Sequence, residues 1–191
     1  MNRLAGFFAL LVFALTVPAR ASLIGTSVTG SFNINGVSGN LFDAANGSVP
    51  AVGFLNSGGA TTVLIGEPAI EFGYHDSQDT ITANFTNTQL IITDFYFGPG
   101  SHNGASFTFN DPAFTGISLS SNSYPGAPTF SDVANLITVS VPAVAAANLT
   151  AGSTYSTTFN VTSVPEPPSL LPVSAGLVLL SLVMSRRRPA A

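Results

Sequence analysis

The stretch IEFGYHDSQDTITANFTNTQLIITDFY, residues 70–96, decides the fold. Ile70, Phe72 and Tyr74 alternate with Glu71, Gly73 and His75. After a break at Asp76 to Asp79, Ile81, Ala83 and Phe85 alternate with Thr82, Asn84 and Thr86. A period of two sends the apolar set to one face of an extended chain and the polar set to the other, the pattern of half-buried antiparallel strands. Leu90-Ile91-Ile92 is apolar on both faces and predicts a central strand covered on two sides.

The same period extends outward in both directions. Val28, Gly30, Phe32 and Ile34 alternate with polar neighbours, as do Phe107 and Phe109, then Ile137, Val139 and Val141, then Tyr155, Thr157, Phe159 and Val161. Turn residues separate the runs: Asn35-Gly36, which suits a tight hairpin, then Asn56 to Gly59, Gly98-Pro99-Gly100, Asp111-Pro112 and Tyr124 to Pro128. No segment has a helical period, and Ala143 to Asn148, after Pro142, reads as a loop or one helical turn. About nine or ten strands follow from these signals, which predicts an all-β fold, a single antiparallel β-sandwich of jelly-roll or Ig-like kind. Its core would draw on the Phe and Tyr residues between positions 22 and 163. No internal repeat is visible, which disfavours a propeller or solenoid.

Charge is distributed unevenly. The chain has 191 residues and a formal charge of −4, yet all its basic residues are Arg, at positions 3, 20, 186, 187 and 188. Residues 22–163 contain no Lys or Arg, but they hold Asp43, Glu67, Glu71, Asp76, Asp79, Asp94, Asp111 and Asp132, a formal −8. This excludes nucleic acid as a partner, because phosphate contacts need a basic footprint. It argues equally against docking on anionic lipid. With no Cys there is no disulfide, thiolate metal site or thiol nucleophile.

Both ends read as targeting segments. Arg3 precedes an apolar run from Leu4 to Val17, and Ala19-Arg20-Ala21 forms an A-x-A site. Residues 1–21 therefore predict a signal peptide, cut by signal peptidase to leave Ser22 first. The run is short for a membrane span. At the other end, Val164-Pro165-Glu166-Pro167-Pro168 is stiff and non-helical, since each Pro fixes φ. Residues 167–185 are long enough to cross about 30 Å of hydrocarbon as a helix. Arg186, Arg187 and Arg188 would hold the cytoplasmic end by the positive-inside rule, leaving the domain outside.

Taken in order, the Pro165-Glu166-Pro167 motif, the apolar span and the Arg cluster over residues 164–188 resemble the PEP-CTERM sorting signal of Gram-negative bacteria. The signal peptide at the opposite end is what that family requires. The resemblance implies recognition by an exosortase, a membrane-embedded Cys protease and transpeptidase. It implies transient insertion in the inner membrane, cleavage near Pro165-Glu166-Pro167, and a final place at the cell surface or outside the cell. Such bacteria often make exopolysaccharide. The motif covers about an eighth of the chain and implies nothing about the activity of residues 22–163, because the signal is attached to unrelated cargo.

Within the middle domain the chemistry is sparse. Glu71 and His75 are expected on one polar strand face, able to approach across Gly73, and the plain alternative is a solvated strand edge. His102 sits in a Gly-rich loop. No G-x-S-x-G is present, and lone carboxylates do not identify a glycosidase. The absence of Trp lowers both the glycosidase and the lectin readings. Glu71, Asp76 and Asp79 are candidate calcium ligands, two of them in one turn, but no EF-hand loop surrounds them. The reading is therefore no catalytic residue, no cofactor and no assigned metal. The expectation is a non-enzymatic structural or adhesive domain, exported and sorted. A polysaccharide-binding module with or without calcium is the alternative, and a secreted hydrolase is third.

Overall fold

The computed structural model describes residues 22–98 and 100–164. The expected signal peptide with Ala19 and Ala21, and the sorting residues Pro165, Glu166, Pro167, Arg186, Arg187 and Arg188 with the apolar span between them, lie outside the described residues. Among the described residues no helix is long and apolar enough to cross a membrane.

The chain forms β1 (Ser27–Ile34), β2 (Thr62–Leu64), β3 (Phe72–His75), β4 (Asp79–Phe85), β5 (Gln89–Tyr96), β6 (Ala105–Asn110), β7 (Phe114–Asn122), β8 (Thr129–Val133), β9 (Leu136–Val141) and β10 (Ser153–Ser163). One sheet has the order β2-β1-β6-β9-β8 and the other β3-β4-β5-β10-β7, with every strand pair antiparallel. The two sheets pack as a sandwich. The expected loop or single turn after Pro142 is a 3-10 turn at Ala146–Asn148.

The inward residues are those the alternation assigns. Ile81, Ala83 and Phe85 of β4 face the core beside Leu90 and Ile92 of β5. Phe32 stacks on Phe107 at 4.6 Å, Phe42 on Phe72 at 4.9 Å, and Phe85 meets Phe109 edge-on at 5.2 Å. Each fully buried Phe contributes roughly 1.5–3 kcal/mol of apolar transfer energy, so this aromatic layer is the main force joining the sheets. Gly30 makes the join possible. A Cβ there would stand 2.6 Å from the Phe72 ring, so only Gly lets that ring cross to the opposite sheet. Not every aromatic residue serves the core: Phe95, Phe97 and Phe130 remain partly exposed.

Three elements depart from the sequence reading. Strands β2, β7 and β8 carry no visible period. Each lies at a sheet edge, where most of its side chains face solvent and the hydrophobic requirement lapses. Ile91, expected to be covered like its neighbours, is only half-buried, although β5 is the central strand of its sheet. Asn35-Gly36 turns the chain, but no strand returns along β1 directly. Instead the Asn40 side chain accepts from the Phe32 N–H at 3.0 Å and donates to the Gly30 carbonyl at 3.1 Å, taking the place of a strand backbone. The two-residue hairpin lies elsewhere, at Ala134-Asn135 between β8 and β9, with φ of 53° and 69°.

Candidate functional site

At one end of the sandwich the inward pattern of β4 and β5 continues into acids. Asp79 opens β4 and Asp94 lies near the end of β5, both on the core-facing side. In the β4–β5 register Asp79 pairs with Tyr96 and Ile81 with Asp94, so the two carboxylates are diagonal neighbours on one face. They are 5% and 6% exposed.

Local chemistry delivers each group. Asp76 forms the β3–β4 turn, its Oδ1 accepting from the N–H groups of Gln78 at 2.7 Å and Asp79 at 2.8 Å. Its Oδ2 accepts from the Tyr74 hydroxyl at 2.6 Å. Tyr96 holds the next loop, donating its hydroxyl to the Gly100 carbonyl at 2.6 Å and accepting the Gly100 N–H at 2.9 Å. His102 is pinned by its backbone, which donates to the Val144 carbonyl at 2.9 Å and accepts the Val144 N–H at 3.0 Å.

The His102 ring bridges the two acids. Nε2 lies 2.9 Å from Asp79 Oδ1, and Nδ1 lies 3.4 Å from Asp94 Oδ2. The Asp79 contact is close enough for an ion pair. Among the described residues, Asp94 Oδ1 is buried without a hydrogen-bond partner. One His102 nitrogen and one oxygen from each carboxylate lie within 4.8 Å of one another. A cleft of about 230 Å³ lined by Tyr74, Asp76, Gln78, Asp79, Ser101 and His102 opens beside the cluster. Behind it, a cavity of about 30 Å³ reaches Asp94, Tyr124 and Tyr155, room for a single water.

The electrostatics follow from burial without a permanent base. Burial pushes the Asp94 carboxyl up to about 7; His102 opposes the shift, while Asp79 and Asp76 add to it. Burial resists charging of His102, but contact with Asp79 and the fields of Asp94, Asp79 and Asp76 outweigh it and raise its pKa. Burial, then the nearby Asp94 and Asp79 charges, hold the Tyr124 phenol above its ordinary range. A protonated His102 neutralises only one of the two carboxylates. The remaining charge calls for a shared proton or a bound cation.

The candidate calcium residues do not meet. Glu71 is fully buried, its Oε1 accepting from the Gly66 N–H at 3.1 Å and its Oε2 from the Phe85 N–H at 2.7 Å. Phe85 is six residues along β4 from Asp79, about 20 Å at the rise of a strand. Burial raises the Glu71 pKa and those two N–H groups oppose the rise. The expected polar face at Glu71 and Gly73 is in fact covered. Phe54 packs on Gly73, where a Cβ would stand 2.6 Å from its ring. Asn56 donates to the Gly73 carbonyl at 3.1 Å and accepts its N–H at 3.0 Å. His75 is exposed and meets Thr80 Oγ1 at 2.8 Å, in keeping with a solvated strand edge.

Asp94 was not legible as a site residue, although one signal was present. It interrupts the apolar face Leu90, Ile92, Asp94, Tyr96 in a segment with no Lys or Arg to pair it. Both nitrogens of His102 face carboxylates. The described processing residues are tied into the fold: Ser22 Oγ donates to Asn87 Oδ1 at 2.7 Å, and the Val164 N–H donates to the Ala113 carbonyl at 2.8 Å. Comparisons with family models, curated proteins and solved structures returned no significant match.

Proposed function

We propose that the protein is an exported component of the cell surface or extracellular matrix, sorted by its C-terminal segment, with a β-sandwich that serves a structural or adhesive role. Signal peptidase would cut after Ala21 and an exosortase near Pro165-Glu166-Pro167. One observation carries the reading. The compact unit runs from Ala21 to Val164, so cuts at the two expected sites would release it with all ten strands whole. The nested pairing of β5 with β10 and of β6 with β9, on opposite sheets, supports jelly-roll over Ig-like wiring.

A second reading, polysaccharide binding, is favoured by one feature. Phe95 and Phe97 are exposed on β5 and just beyond it, edge to face at 4.9 Å, and the Phe97 N–H donates to the carbonyl of Gln78, a residue of the cleft. Retention of the exported protein on immobilised exopolysaccharide would favour this reading over an inert scaffold.

Replacing Arg186, Arg187 and Arg188 with Gln in the producing cell tests the sorting role. Loss of the cytoplasmic charge should trap or misorient the precursor and reduce surface protein severalfold. Surface delivery at the parent level would refute the assigned role of the Arg cluster.

A further inference from the structure

We propose that Asp79, Asp94 and His102 bind one divalent transition-metal ion of the zinc class at the end of the sandwich. The inference does not depend on how the protein is sorted.

The three groups come from three separate elements, yet each is fixed before any ion arrives. The Asp76 turn sets Asp79, the β4–β5 register sets Asp94, and the Val144 bridge sets His102. His102 Nε2 and Asp79 Oδ1 stand 2.9 Å apart. Two ligands that share a tetrahedral zinc at bonds of about 2.0–2.1 Å stand about 3.3 Å apart, so this pair would part by only a few tenths of an ångström to admit an ion. One donor atom from each of the three side chains lies within 4.8 Å of the others, a spacing that small side-chain adjustments close around one ion. Asp94 Oδ1 has no hydrogen-bond partner among the described residues, on a side chain more than nine-tenths buried. Leaving that oxygen unpaired is costly.

The chemistry selects the class of ion. An imidazole with two carboxylates suits zinc and its neighbours in the transition series. Calcium needs six to eight oxygen ligands, and magnesium prefers water and carboxylate to a His nitrogen. Charge points the same way, since a divalent ion neutralises both acids where a protonated His102 neutralises one. The cleft beside Asp79 and His102 supplies an entry path and leaves coordination positions open to water.

The test uses the untagged full chain in detergent, stripped with chelator and then dialysed. Zinc chloride at tens of micromolar should raise Tm by roughly 5 °C or more, through mass action on the folded state. Calcium and magnesium chloride at matched ionic strength should each give far less. Cobalt(II) should show visible ligand-field absorption that zinc abolishes. Asp79→Asn and Asp94→Asn keep side-chain size and remove buried negative charge. Both should melt in chelator no lower than the parent, weaken zinc binding at least tenfold in calorimetry, and lose the cobalt bands. His75→Gln, at the exposed histidine, should respond to zinc as the parent does. The proposal is overturned if zinc stabilises no more than magnesium, if Asp79→Asn and Asp94→Asn keep the zinc response, or if His75→Gln abolishes it.

Discussion

Asp94 occupies a position that the alternation of β5 reserves for an apolar side chain, and the consequence is a proton. The folded carboxyl titrates at about 7 against an ordinary 3.8, chiefly because it is buried. Between those values the folded chain holds a proton that the unfolded chain has released. Its contribution to stability is full at low pH and is lost as pH rises through about 7. His102 acts in the same direction: its pKa lies above the ordinary 6.5, so its contribution is full below 6.5 and is lost as pH rises past the folded value. Glu71, also raised, adds to the trend. The Tm of the chelator-treated protein should therefore fall as pH rises from about 5 to about 8, with a shallower fall in Asp94→Asn. Differential scanning calorimetry in chelator would check this, and a flat or rising curve would contradict the burial of these acids. Little of this was legible in the sequence. Asp76 and Asp79 stood out because they share a turn. His102 reads as a loop residue because the partner that pins its backbone, Val144, is 42 positions away. Glu71 looked solvated because nothing local shows that Phe54 and Asn56 fold back over β3.

Strands are legible where they must bury a face. β1, β4, β5, β6, β9 and β10 each expose a period of two because their inner residues meet the opposite sheet. β2, β7 and β8 lie at edges and lack it. The tight hairpin was misplaced for a related reason. Asn35-Gly36 has the preferred residues, but beyond the short pairing with β2 that flank of β1 is met by the Asn40 side chain and the Leu41 N–H. The β8–β9 hairpin uses Ala134 at φ 53° and Asn135 at φ 69°, and Ala is a poor choice for a left-handed position. That conformation costs an Ala about 1–2 kcal/mol, a cost Asn partly escapes. Ala134→Asn should raise the stability of the protein by roughly 0.5–1 kcal/mol, or about 2–4 °C in Tm. Urea melts would check it. A neutral or destabilising outcome would mean that the turn does not require the left-handed conformation.

At the scale of the whole molecule, the domain excludes Lys and Arg while the residues outside it hold every Arg of the chain. A sandwich without Lys or Arg, carrying a formal −8, stays dispersed by self-repulsion, which would suit the export proposed for it. The aromatic layer makes that interior compact, and the compact unit ends where the two expected cuts fall. The fold was legible because a sandwich is built on repetition of a simple alternation. The end site was not, because it is assembled from one turn, one strand and one loop whose proximity exists only after folding. The central claim is that the cell delivers this unit by cutting at both of its boundaries. Intact-mass spectrometry of the protein recovered from the cell surface or medium of the producing organism tests it most directly. The account predicts a chain that begins at Ser22 and ends within or next to Pro165-Glu166-Pro167, without Arg186 to Arg188. Recovery of an uncut Met1 to Ala191 chain, or of all the protein inside the cell, would contradict it.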